Sequence, residues 1–124
     1  MAGRRILVTG SRVCDDPDPV FSSLERSLAD FGSLTVIHGG ASGVDAISGE
    51  WARQKIFAKL PVRLEVFPAN WEKFGRRAGP IRNRQMLESG VDLCLAFPGK
   101  TSPGTWDCVR QALSMGITVR VHRL

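Results

Sequence analysis

The chain has 124 residues, with 17 Lys plus Arg against 12 Asp plus Glu, a formal net charge of +5, and 43% hydrophobic residues. One domain over residues 1–124 is expected, and a chain of this length buries enough surface to need no disulfide or metal staple. No apolar run reaches the ~20 residues of a membrane span, and the short one after Arg5 is too brief for a signal peptide, so a cytoplasmic protein with no membrane partner is expected.

The first apolar run, Ile6-Leu7-Val8, leads into Thr9-Gly10-Ser11-Arg12, a turn of small residues with a cation. Asp18-Pro19 reads as an N-cap followed by proline at the first helical position. Val20, Phe21, Leu24 and Leu28 then recur at helical spacing until Gly32. Leu34 to Ile37 is a second strand, and His38-Gly39-Gly40-Ala41-Ser42-Gly43-Val44-Asp45 leads from it into a helix. That helix spans about Val44 to Lys55, with Ile47, Trp51 and Ile56 on one face. A third strand covers Val62 to Phe67, and Pro68 to Gly79 reads as an irregular loop. A helix starts near Gly79-Pro80 and runs to Gly90. The fourth run, Val91 to Phe97, opens into Pro98-Gly99-Lys100-Thr101-Ser102-Pro103-Gly104-Thr105. A helix from about Thr105 to Met115 turns Val109, Ala112 and Leu113 inward, and Ile117 to Val121 is a fifth strand.

This alternation predicts a Rossmann-like, doubly wound α/β fold with a mainly parallel five-stranded sheet and helices on both faces. Runs apolar on both sides suit parallel strands covered by helices. In such sheets ligands sit beyond the carboxyl ends of the strands. Three small-residue segments leave those ends, and two of them open helices whose first N–H groups are unpaired. Gly10, Ser11 and Arg12 are expected to line one side of a phosphate or ribose site. Gly39, Gly40, Ser42, Gly43 and Asp45 form its central turn, and Gly99, Gly104 and Thr105 offer N–H groups. Exchange of Gly43 for valine is expected to weaken binding without unfolding the chain.

Thirteen of the cations are arginines, suited to bidentate recognition of phosphate. Lys73, Arg76, Arg77, Arg82 and Arg84 face only Glu72 between residues 72 and 84, a local net charge of +4. The cluster reads as a pocket wall for one compact anion. Arg82 is the expected phosphate partner and Arg84 the weaker candidate. The two diverge by ~160° on a helix, and Arg84 has Glu88 four residues on.

Neither G-x-G-x-x-G nor a complete phosphate-binding P-loop is present: Gly39 to Gly43 reads G-G-A-S-G, and Cys94 stands where the P-loop needs glycine. There is no nucleophile elbow and no His-Glu-x-x-His, and Cys14, Cys94 and Cys108 have no zinc or disulfide spacing. No metal and no resident cofactor are expected. Asp45 and Asp107 are the catalytic candidates, each in a first helical turn where capping is the competing reading. His38 and His122 read as structural or solvated, and Trp71 and Trp106 as packing rather than stacking on a base.

His-Gly-Gly-Ala-Ser-Gly-Val-Asp-Ala at 38–46 and Ala-Gly-Pro-Ile-Arg-Asn-Arg-Gln-Met at 78–86 resemble the SLOG superfamily of Rossmann-like domains, in its YspA/YpsA-related branch. The resemblance runs from Ile6 to Val121 and implies binding of nucleotides or nucleotide-derived signals related to NAD and ADP-ribose. It also implies a homo-oligomer, a dimer in the first instance. The chain is distantly similar to the LOG phosphoribohydrolases, which carry Pro-Gly-Gly-x-Gly-Thr-x-x-Glu. Counting from Gly104-Thr105 puts Cys108 at their catalytic Glu, a departure that weighs against hydrolase chemistry. It is also similar to the Rossmann core of the DNA-processing protein A family, through the glycine turn and Arg82-Asn83-Arg84. The expected function is binding or sensing of a small phosphorylated nucleotide derivative. N-glycosidic hydrolysis of nucleoside monophosphates and single-stranded DNA binding are the alternatives.

Overall fold

The computed structural model describes residues 3–124. The elements follow in the order β1 (Arg4–Gly10), α1 (Asp18–Phe31), β2 (Leu34–His38), α2 (Val44–Phe57), β3 (Val62–Val66) and α3 (Trp71–Phe74). A 3-10 turn (Gly75–Arg77), α4 (Ala78–Glu88), β4 (Leu93–Phe97), α5 (Pro103–Ser114) and β5 (Thr118–Val121) complete them. All five strands pair in parallel in one sheet, in the order β3-β2-β1-β4-β5. Ile6 of β1 is opposite Val36 on one side and Leu93 on the other.

Side chains alternate across the pleat, so each central strand feeds two cores. Ile6, Val8, Val36 and Leu95 pack with Val20 and Leu24 of α1 and Trp51 of α2 on one face. Leu7, Ile37 and Cys94 pack with Met86 and Leu87 of α4 and Cys108 and Ala112 of α5 on the other. The chain winds outward from β1 through β2 to β3, then returns to place β4 on the opposite side of β1. That reversal opens a crevice at the carboxyl ends of β1 and β4, where doubly wound sheets bind ligands. Among the described residues no helix is long and apolar enough to cross a membrane.

Several local expectations need correction. Asp18 begins α1 rather than capping it; its N–H donates to Asp16 Oδ1 at 3.1 Å. Ile56 is exposed because the last turn of α2 buries none of its residues. Leu113 is exposed because it lies one residue, ~100°, past the buried Ala112. Residues 71–77 of the expected loop are α3 and the 3-10 turn, and Asn70 caps α3 by accepting from the Lys73 N–H at 3.1 Å. The edge strands β3 and β5 are only partly covered, unlike the three central ones.

Candidate functional site

A cavity of about 390 Å³ lies in the crevice, walled by the end of β1, the starts of α2 and α5, and α4. The β1 end is fixed from two sides: Ser11 N–H donates to the Phe97 carbonyl at 3.0 Å, and Val44 N–H donates to the Ser11 carbonyl at 2.9 Å. The second contact brings the backbone of α2 so close that a Cβ on Gly43 would sit 2.1 Å from the Ser11 oxygen. Gly43 also has φ +71°, a conformation L side chains rarely adopt. A valine there distorts the loop itself, so the expected selective loss of binding from Gly43→Val does not follow.

Asp45, in the first turn of α2, folds back over the glycine turn. Its Oδ2 accepts from the Gly39 N–H at 3.1 Å and the Ala41 N–H at 3.2 Å. The carboxyl is buried, which pushes its pKa up to about 6 against the pull of the Ala41 amide, Arg82, the Gly39 amide and Arg12. Arg82 reaches the same turn from α4. Its Nη1 donates to the Gly39 carbonyl, and its Nε donates to Asn83 Oδ1 at 3.0 Å. A Cβ at Gly39 would lie 2.1 Å from Nη1, so only glycine leaves room for the guanidinium. Burial lowers the Arg82 pKa, and Asp45 opposes that shift.

Asn83 ties α4 to α5. Its Nδ2 donates to the Gly104 carbonyl at 3.2 Å and to Asp107 Oδ2 at 3.0 Å. The same Asp107 oxygen accepts from Gln111 Nε2 at 2.9 Å, and that amide also donates to the Pro80 carbonyl at 3.1 Å. At the start of α5, Ser102 makes no side-chain cap bond; its Oγ accepts instead from the Gly99 N–H at 3.0 Å. The first helical N–H groups, at Gly104 and Thr105, therefore stay available at the positive end of the helix dipole. Both residues line the cavity.

Of the residues expected from the sequence, Gly10, Ser11, Arg12, Asp45, Arg82, Gly104 and Thr105 come together around the cavity. Gly39, Gly43 and Gly99 stand behind its wall and shape it. Ser42 ties the α2 turn to the β1 loop by donating to the Arg12 carbonyl at 2.8 Å, and Gly40 N–H donates to His38 Nδ1 at 3.0 Å. Arg84 lies outside the cavity on the exposed face of α4, where its Nε is 3.4 Å from Glu88 Oε1. Asp107 also lies outside, holding α4 and α5 together. Lys73, Arg76 and Arg77 are exposed and do not line the cavity, so the expected cationic wall reduces to Arg82 and Arg12. Arg12 stands 5.7 Å over the half-exposed Trp71 ring. Thr9, Asn83, Thr101 and Ser102 line the cavity without having been singled out. Asn83 follows Arg82 directly in α4, and the sequence carries no local signal that its amide bridges to α5.

Among the described residues no cluster of three or more His, Cys, Asp or Glu could hold a metal ion. The sheet order defines a Rossmann-like α/β protein with a cavity at its switch point. The chain belongs to the YspA, cpYpsA-related SLOG family, whose profile matches residues 4–74, more than half of it. It is 45% identical over 121 residues to the Gene 61 protein of Mycobacterium phage D29, an alignment covering 94% of each chain. No solved structure matches it. The 38–46 block lies within the matched residues and the 78–86 block beyond them. Membership is consistent with a nucleotide-related ligand-binding role.

Proposed function

We propose that the cavity binds the phosphate of a small nucleotide derivative, so that the protein acts as a ligand binder or sensor. One observation carries this reading: Arg82 is only 8% exposed, lines the cavity, and among the described residues forms no ion pair. The nearby Asp45 carboxyl is held on the Gly39 and Ala41 amides and makes no direct ion pair with it; a buried charge without one is costly, and an anionic ligand supplies that partner. Nε and Nη1 are engaged by Asn83 and Gly39, which leaves Nη2 for a phosphate oxygen. The Gly104 and Thr105 amides add donors from a helix N-terminus. A volume near 390 Å³ is at the low end of small-molecule sites and suits the sugar-phosphate part of such a ligand.

Calorimetry with ribose 5-phosphate tests the reading. Arg82→Ala and Arg82→Lys are expected to weaken binding by roughly tenfold or more, as loss of a charged hydrogen bond does. Unchanged affinity in both folded variants would put the phosphate elsewhere. A second reading, N-glycosidic hydrolysis, is favoured by Asp45, a cavity carboxyl whose pKa near 6 suits proton transfer at neutral pH. Incubation with nucleoside monophosphates followed by chromatography decides it. No release of free base above a protein-free blank removes it.

A further inference from the structure

A second, larger groove of about 750 Å³ adjoins the cavity, and the two share Ser11, Val13 and Thr101. One wall of the groove is the segment 122–124. It runs on beside β4, with His122 N–H donating to the Ala96 carbonyl at 2.8 Å and Leu124 N–H to the Pro98 carbonyl at 3.0 Å. The His122 ring packs at a tilt on the buried Phe97, with ring centroids 5.7 Å apart. Val13 and Leu124 bring exposed apolar surface to the groove. Its formal charges balance: Asp15 and Asp16 against Lys100 and Arg123. The Arg123 guanidinium is drawn over the Trp106 ring at 5.2 Å. Such a groove is a poor place for a second phosphate and a good one for a flat, neutral heterocycle. Asp16 Oδ1 already accepts from the Asp18 N–H, whereas the exposed Asp15 carboxylate makes no such bond among the described residues and suits an exocyclic amino group.

We infer that this groove is the base subsite of the phosphate-bound ligand. It takes a nucleobase bearing an exocyclic amino group while the 5′-phosphate lies at Arg82. The inference rests on the phosphate reading above, and the test separates the two. Calorimetry is run with ribose 5-phosphate, adenosine 5′-monophosphate and inosine 5′-monophosphate, on the parent chain and on His122→Ala, Asp15→Asn and Trp71→Ala. Adenosine monophosphate is expected to bind about tenfold tighter than ribose 5-phosphate, the scale of base stacking. Inosine monophosphate should fall between them. His122→Ala and Asp15→Asn should each weaken adenosine monophosphate severalfold and leave ribose 5-phosphate unchanged. Asp15 is exposed, so its variant keeps the test valid if His122→Ala folds poorly. If ribose 5-phosphate binds but adenosine monophosphate binds no tighter, the base subsite alone is wrong. It is equally wrong if only Trp71→Ala removes the preference, because the base then lies on the Arg12 side. If neither compound binds, the phosphate reading falls and the subsite with it.

Discussion

His38 and Asp45 bracket the same glycine turn and titrate in opposite senses. Burial, helped by Arg53 and Arg82, lowers the His38 pKa to about 4, and its Nε2 is buried without a hydrogen-bond partner among the described residues. Burial raises the Asp45 pKa to about 6. For Asp45 the stabilising proton is fully bound below the unfolded value of 3.8, and its contribution is lost as pH rises through about 6. For His38 the contribution is present above the unfolded value of 6.5 and lost as pH falls through about 4. The two therefore oppose each other between those limits. Asp45→Asn keeps an oxygen for the Gly39 and Ala41 amides but removes one of the two titrations. Relative to the parent it should gain stability as pH rises from 4 to 7, by at most about 1.4 kcal/mol per pH unit and about 3 kcal/mol in all. Urea unfolding at several pH values measures this, and a pH-independent difference between the two chains would contradict it.

At the scale of elements, α4 and α5 are held in register by Asn83, which supports Arg82 on one side and Gly104 and Asp107 on the other. Asn83→Ala should cost about 1–3 kcal/mol, the price of orphaned buried partners, and should weaken phosphate binding along with stability. Unaltered affinity in that variant would show that Arg82 holds its place without the amide. The turn into α2 makes a separate prediction. Gly43→Ala should lower the urea midpoint by an amount worth at least about 1–2 kcal/mol, since both its φ and the Ser11 carbonyl exclude a side chain. A midpoint equal to the parent's would contradict that account.

The strands and long helices were legible in the sequence because their signals are local: apolar runs, helical spacing, and glycines such as Gly32 and Gly116 that take positive φ at helix ends. The glycine turns were legible for the same reason. The pairing of Arg82 with Gly39, 43 residues apart, was not, nor was that of Asn83 with Asp107. Such partners become neighbours only when the sheet closes. The Arg5 guanidinium, gripped bidentately by Glu65 at 2.8 Å across the sheet, is another long-range pair that no local pattern announces. Arg84 shows the converse: its partner Glu88 is four residues away, and helical geometry alone identifies it.

For the whole molecule, the net charge of +5 is spread differently from what the cluster at 72–84 implies. Lys73, Arg76, Arg77 and Arg84 are exposed, while Arg82 and Arg12 reach the cavity. Two cations so placed suit one compact anion, as proposed above, and titration with a single-stranded oligonucleotide at low salt should then be nearly flat. Strong binding that falls steeply with salt, with a log–log slope near −0.7 per phosphate engaged, would instead mark a nucleic-acid groove. The central claim is that a phosphate occupies the crevice between β1 and β4, and amide chemical-shift mapping during titration with ribose 5-phosphate tests it most directly. The largest shifts should fall on the Gly104 and Thr105 amides and on Ser11, and should disappear in Arg82→Ala. Saturation with no shift at those three amides, or with shifts clustered on another face, would contradict it.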